Sequence, residues 1–363
     1  MVLSRNKHYP VNSRLQQLAD TFARHEIDSL LVTDDTSIRY LTQFPASESW
    51  LLVSRRRVFY ITDSRYVLEA RKGLRGVAVI CYTKSRNETL FETVRRQRMR
   101  IHRIGFDPNH LTVAQYTALR KRCPSSVRLV PAPGLVENLR EVKDKGEIAH
   151  IRRALAIHQE AYALVRRLIR PRLSEEQILW RLEEFVRAKG VKFSFSPIVA
   201  SGPNSCYPHA KVTRRKLRKN DVLLVDIGID VNGYKSDLTR MFFLGRIPPF
   251  LRQAHECVAV AQRRAIEKVR PGVAVAEIDG VARNHLAKNG LAKYFGHALG
   301  HGVGLDIHES PRLSQTNPAV LKEGMVITVE PAVYIPNRFG VRIEDMVLVT
   351  PQGCEVLSDD IHQ

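Results

Sequence analysis

One segment constrains this chain more than any other: DVLLVDIGIDVNGYKSDLTRMFFLG, residues 221–245. Two β-prone runs flank Asn232-Gly233, the dipeptide best suited to the positive φ angles of a two-residue hairpin turn. Such a turn sets Val231 opposite Tyr234, Asp226 opposite Thr239 and Gly228 opposite Asp237. Cross-strand partners share a face, and so do residues two apart. Asp226 and Asp237 therefore sit diagonally on one face, roughly 7 Å apart at Cα, with Thr239 beside them. Val225, Ile227 and Ile229 take the other face. Two carboxylates this close repel, so either water separates them on an exposed sheet or a cation lies between them.

A second acidic pair follows in MVITVEPAVYIPNRFGVRIEDMVLVT, where Glu330 and Glu344 end or interrupt β-branched runs. A carboxylate buried in such a run is costly unless it is paired or metal-bound. Arg342 stands two residues before the second glutamate. Between the two acidic pairs lies FGHALGHGVGLDIHESPRL, with His297, His301 and His308 among glycines 296, 300, 302 and 304. The glycines argue for irregular or extended backbone packed closely against something, rather than a helix pairing His297 with His301. Neither a phosphate loop nor H-E-x-x-H is present, since Arg312 occupies the place of the second histidine. His209, in NSCYPHAKVT, is a separate candidate.

The rest of the chain divides in two. Residues 1–135 alternate helical and extended patterns, which argues for a small α/β domain. SLLVT (29–33), VAVICYT (77–83) and a run near 103–106 read as strands, and WLLVSRRRVFYIT as a β-hairpin. Helices are expected from Leu15 to Ile27 and near 64–73, 88–98 and 112–122. Asp34, Asp35 and Asp107 read as turn and cap residues, and no catalytic constellation stands out there. Residues 136–363 open with a long amphipathic helix. A capping box, Ser174-Glu-Glu-Gln177, then starts another. Strands and loops follow from about 191, with helices near 249–269 and 275–289.

At 363 residues, 44% apolar and 26% charged, the chain has the composition of an ordinary globular protein. The N-terminal stretch MVLSRNKHYPVNSRL lacks an apolar signal core, and no apolar run approaches membrane-spanning length. Five scattered cysteines suit a reducing cytoplasm. The net charge of +20 invites a nucleic-acid reading. Its densest stretches, Arg55-Arg56-Arg57, Arg95 to Arg103 and Arg214 to Lys219, carry no interleaved aromatics or recognition motif, so no specific nucleic acid and no membrane is expected as partner.

The VDIGIDVNGYKSDLTR hairpin, GHALGHGVGLDIHESP, VEPAVYIP and VRIED together resemble the Xaa-Pro peptidases, the prolidases and aminopeptidases P of the pita-bread metallopeptidase superfamily. The likeness extends to LREVKDKGEIAHIRRA and FSPIVASGPNSCYPHA. It implies an α/β N-terminal domain of the creatinase/prolidase type and an α+β pita-bread catalytic domain. It further implies two divalent metal ions, with Asp226 on one, Asp237 and Glu344 bridging, and His301 and Glu330 completing the second. His297, His308 and Glu330 would be catalytic. His209, His297, His308 and Arg312 would contact the substrate, while Thr239 and Arg342 would support the ligands. Four carboxylates and one imidazole suit Mn²⁺, Co²⁺ or Zn²⁺, with a shared hydroxide as the expected nucleophile. The resemblance implies a small peptide substrate with proline in second position, and a homodimer. Ala332, where a glycine is usual, is a departure that does not touch ligation. A silent pita-bread binding module and a methionine aminopeptidase-like hydrolase are the alternatives.

Overall fold

The computed structural model describes residues 13–97 and 99–359; the N-terminal stretch through residue 12, Arg98 and residues 360–363 lie outside the described residues. The chain divides between Arg140 and Glu141 into two compact units. The short helix Leu135–Arg140 closes the first unit instead of opening the second. Its Leu135 and Val136 are buried, which ties it to the apolar interior before it.

The first unit is a six-stranded mixed sheet in the order Ala78–Cys81, Val58–Thr62, Trp50–Ser54, Ser29–Val32, Arg103–Phe106, Arg128–Pro131. The hairpin expected around the basic turn forms, with Val53 opposite Val58. Ser29–Val32, Arg103–Phe106 and Arg128–Pro131 run parallel. Helices Val67–Gly73, Arg86–Arg96 and Val113–Arg122 fall where the periodicity places them, whereas the first, Ser13–Thr21, stops short of the expected end at Ile27. Asp35–Thr42 is an additional helix, capped by the Asp34 side chain on the Ser37 N–H. Leu31, Leu52, Phe59, Ile61, Leu90 and Ile104 anchor the core on one face of the sheet.

The second unit packs four long helices, Lys145–Leu168, Glu175–Ala188, Pro249–Ile266 and Val275–Lys288, with antiparallel sheets. Asp221–Ile227 lies between Ile198–Ser201 and Leu238–Leu244. The register is the one the turn dictates: Asp226 faces Thr239 and Val231 faces Tyr234. Asn232 and Gly233 hold φ of 53° and 85°, as a type I′ turn requires.

The hairpin is not one continuous ladder, however. Its distal part, Ile229–Val231 with Tyr234–Lys235, joins Lys192–Phe193 in a separate sheet. The break falls at Gly228, where a Cβ would stand 2.4 Å from the Ser236 carbonyl oxygen and 2.6 Å from the Phe195 ring. A glycine there lets the second strand cross closely just before Asp237.

A five-stranded sheet, ordered Glu309–Leu313, Gly300–Gly302, Val326–Val329, Asp345–Val349, Cys354–Val356, completes the unit beside the hairpin Ala332–Ile335/Phe339–Arg342. Helices Pro249–Ile266 and Val275–Lys288 supply the apolar cover.

Candidate metal centre

Both hairpin aspartates are buried, so the solvent-separated alternative falls away. Asp226 is the penultimate residue of Asp221–Ile227, and Asp237 immediately precedes Leu238–Leu244. The Thr239 hydroxyl donates to Glu344 Oε2 at 2.8 Å and accepts from Arg342 Nε at 2.8 Å. Glu344 enters this face because its N–H bonds the Thr239 carbonyl, stitching the end of Phe339–Arg342 to the hairpin. Arg342 also donates to Asp226 Oδ2 through Nη2.

His301 comes from the short strand Gly300–Gly302, and the flanking glycines are sterically required. A Cβ at Gly300 would be 2.0 Å from the Thr328 carbonyl oxygen, and one at Gly302 would be 2.2 Å from that of Ser310. The strand is thus pressed against both neighbours, which brings the imidazole over the sheet. His301 Nε2 lies 3.6 Å from Asp237 Oδ2 and 3.5 Å from Glu330 Oε1. Asp237, His301 and Glu344 each offer a ligand atom within 4.8 Å of the others.

The electrostatics of this pocket are unbalanced. Burial, together with mutual repulsion, pushes the Asp237 and Glu344 carboxyls well above the ordinary carboxylate range. Burial raises Glu330 to about 8, against the opposing pull of Arg342. Asp226 is raised by burial in spite of its guanidinium partner. Burial lowers His301 to about 4, so its imidazole is neutral at pH 7. His301 Nδ1 sits 3.0 Å from the Gly302 carbonyl oxygen and must donate, because that oxygen can only accept. The Nε2 lone pair is then aimed among carboxylates.

Four acids, one imidazole lone pair and one guanidinium do not neutralise one another. Asp226 Oδ1 is also buried with no hydrogen-bond partner. Divalent cations would relieve all three conditions, so the donor set fits a hard-metal site.

Around these side chains the other expected residues fall unevenly. His308 is exposed, with its ring edge-on to His301, 4.4 Å between centroids. His297 Nδ1 bonds the Ala298 carbonyl oxygen at 2.8 Å, and its Nε2 lies 3.3 Å from the Tyr334 hydroxyl. His209 is exposed but close enough for its charge to bear on Asp226, His297 and His308. Arg312 is exposed on Glu309–Leu313, within electrostatic reach of His308.

Sequence reasoning missed Tyr334 and Arg283. Tyr334 accepts from Arg342 Nη1 at 2.6 Å, completing a chain Asp226–Arg342–Tyr334–His297. Its place in the strand Ala332–Ile335, opposite Gly340, was the available signal, since glycine leaves room for the ring. Arg283 is ion-paired to Asp279 and donates to the carbonyl oxygens of Phe295 and His297, fixing the backbone that carries His297. No spacing argument links residues 283 and 297.

A smaller cluster, Asp34, His110 and Glu137, lies in the first unit, where the sequence showed no constellation. His110 Nε2 is 2.7 Å from Glu137 Oε1, and Asp34 is at the same time the helix cap anticipated from sequence.

The sequence model for metallopeptidase family M24 matches residues 149–351, and that for the creatinase/prolidase N-terminal domain matches residues 14–142. The chain belongs to family M24: it is a metallopeptidase of the pita-bread Xaa-Pro peptidase group, with a creatinase-type N-terminal domain. Among individual proteins, it is 35% identical to the uncharacterized peptidase YqhT of Bacillus subtilis, over 94% of this chain and 96% of that one. The solved Xaa-Pro dipeptidase from Bacillus anthracis shares 34% identity and a TM-score of 0.91, covering 95% of this chain and 97% of that one. An X-Pro aminopeptidase from Thermotoga maritima shares 31% identity and a TM-score of 0.84, covering 93% and 97%.

Proposed function

We propose that this metallopeptidase cleaves the Xaa-Pro bond at the N-terminus of short peptides, as a dipeptidase or an aminopeptidase P. The carrying observation is the surplus of buried carboxyls around one neutral imidazole, with a single guanidinium as counter-charge. Asp226, Asp237, His301, Glu330 and Glu344 would hold two divalent ions, with Asp237 and Glu344 shared between them; Mn²⁺, Co²⁺ and Zn²⁺ all suit this donor set. When bound, the ions supply Lewis-acid polarisation of the peptide carbonyl and activation of water.

The chain's own residues bind, orient and move protons. His308 and His297 flank the reacting carbonyl; a neutral His308 can donate a hydrogen bond to the developing oxyanion, whereas the one N–H of His297 is spent on the Ala298 carbonyl, so His297 shapes the pocket beside it. The Tyr334 contact holds His297 Nε2 in place. Glu330 carries a proton at a carboxylate oxygen toward the departing proline nitrogen. His209 covers the substrate from the loop at residues 202–213, and Arg312 pairs with the carboxylate of a dipeptide. Proline in second position removes the amide hydrogen and fixes φ, so a site that makes no use of that hydrogen accepts it where general peptidases do not.

Protein stripped of metal and reloaded with Mn²⁺, Co²⁺ or Zn²⁺ should hydrolyse Ala-Pro, Ala-Pro-Ala or both, and leave Met-Ala-Ser intact. Cleavage of the dipeptide alone defines a prolidase, and cleavage of the tripeptide an aminopeptidase P. Failure with both proline peptides under every metal refutes the proposal. Cleavage of Met-Ala-Ser alone supports the methionine aminopeptidase-like alternative. We further propose a cytoplasmic homodimer: the five cysteines are all free, and light scattering of the purified protein reads the dimer. Among the described residues no helix is long and apolar enough to cross a membrane.

A further inference from the structure

Glu175 is completely buried at the first turn of Glu175–Ala188, far in sequence from every metal ligand. Its carboxylate accepts five hydrogen bonds. Oε1 takes the N–H and the hydroxyl of Ser201, both at 2.6 Å. Oε2 takes Asn204 Nδ2 at 2.9 Å, the Thr213 N–H at 2.9 Å and the Thr213 hydroxyl at 2.6 Å. A lone buried carboxylate satisfied on this scale has a purpose beyond filling space, since burial of an ion is costly in itself.

The five donors bracket one loop. Ser201 and Asn204 stand at its start and Thr213 at its end, and His209 lies between. Arg215 strengthens the base by donating to the Ser201 hydroxyl at 2.6 Å and to Asp221 at 2.7 Å. On its other side the loop is fixed to the strand Phe339–Arg342: the Gly340 N–H donates to Ser205 Oγ, and Arg342 Nη1 donates to the Pro208 carbonyl oxygen at 3.2 Å. Arg342 is the residue that also holds Asp226. The peptide preceding His209 is therefore held between the metal-site arginine and the buried Glu175 clamp.

We propose that Glu175 is a positioning residue for catalysis, holding the 202–213 loop so that His209 stands over the bound peptide. This rests on the substrate role given to His209 above. Glu175→Gln is the sharp perturbation, because its amide nitrogen would confront donors that all require an acceptor. Thr213→Val is milder and removes one of the five bonds.

The test uses the metal-loaded enzyme, with kcat and KM on Ala-Pro and Ala-Pro-Ala, metal content by elemental analysis, and hydrogen exchange of the loop. Glu175→Gln should retain its metal and lower kcat/KM by roughly tenfold to a hundredfold, the scale of a small misplacement. Exchange should quicken in 202–213. In a His209→Ala background the same change should add less than about threefold, since double-mutant cycles expose residues that act through one another. Thr213→Val should show the same pattern in weaker form, and it carries the cycle if Glu175→Gln does not fold. Additive losses, loss of metal, or unchanged loop exchange would each overturn the proposal. If the parent enzyme cleaves no proline peptide, the functional reading fails, and exchange alone then decides whether Glu175 clamps the loop.

Discussion

Replacing Glu330 by glutamine should stabilise the metal-free protein while weakening its grip on metal. The Glu330 carboxyl is raised from 4.5 to about 8 by burial, so the folded metal-free protein binds a proton that the unfolded chain releases. In that window stability falls as pH rises, because the folded state holds more protons. A pKa gap of about 3.5 at ~1.36 kcal/mol per pH unit amounts to a penalty of about 4 to 5 kcal/mol, complete above pH 8 and absent below pH 4.5. Glutamine keeps the size and the acceptor facing the Thr328 hydroxyl, which lies 3.4 Å from Oε1, but never ionises. The stability difference between Glu330→Gln and the parent should therefore be near zero at pH 4.5 and grow by about 1.4 kcal/mol per pH unit to pH 8. Urea unfolding of chelator-stripped proteins at pH 5, 6.5 and 8 measures it directly. A difference that does not change with pH, or a variant less stable than the parent at pH 8, would refute the reasoning. With metal restored the order should reverse, because the variant lacks one charged ligand.

Three further outcomes follow from the same geometry. Asp237→Ala should lose bound metal and nearly all turnover yet keep its fold, since it removes a carboxylate repelled by Glu344, Asp226 and Glu330; elemental analysis and circular dichroism read this, and activity retained with two bound ions would contradict it. Arg342→Met should cost about 3–5 kcal/mol, as for a broken buried ion pair, because Asp226, Thr239, Tyr334 and Pro208 all lose the same donor; denaturant titration measures it. Gly300→Ala should lower stability by at least 1–3 kcal/mol and shift His301, because its Cβ would meet backbone at 2.0 Å; melting temperature and metal content should fall together.

The sequence read well where the physics was local. Asn232-Gly233 dictates its own turn, the turn dictates the register, and the register placed Asp226 opposite Thr239 before any tertiary information was used. The capping box at Ser174 formed as read, because its partners are three residues apart. The break at Gly228 was not legible, since it depends on Phe195 approaching from elsewhere in the fold while the opposite strand presses close at Ser236. The helix Asp35–Thr42 escaped notice because it is short and its signal is mainly the Asp34 cap.

For the site, the sequence alone determined one thing firmly: two aspartates share a face of one hairpin, because strand period and turn length leave no other arrangement. His301, Glu330 and Glu344 stood out by residue pattern, but their assignment as ligands rests more on the resemblance than on spacing. What joins them to the hairpin is the close pressing of Gly300 against Thr328 and the bond from the Glu344 N–H to the Thr239 carbonyl, contacts between residues far apart in the chain. Only the tertiary structure decided that these carboxyls are buried together, and burial makes their charge a problem that cations can solve. The Glu175 clamp belongs to the same class, because five donors converge on one carboxylate only once the loop has folded onto its helix.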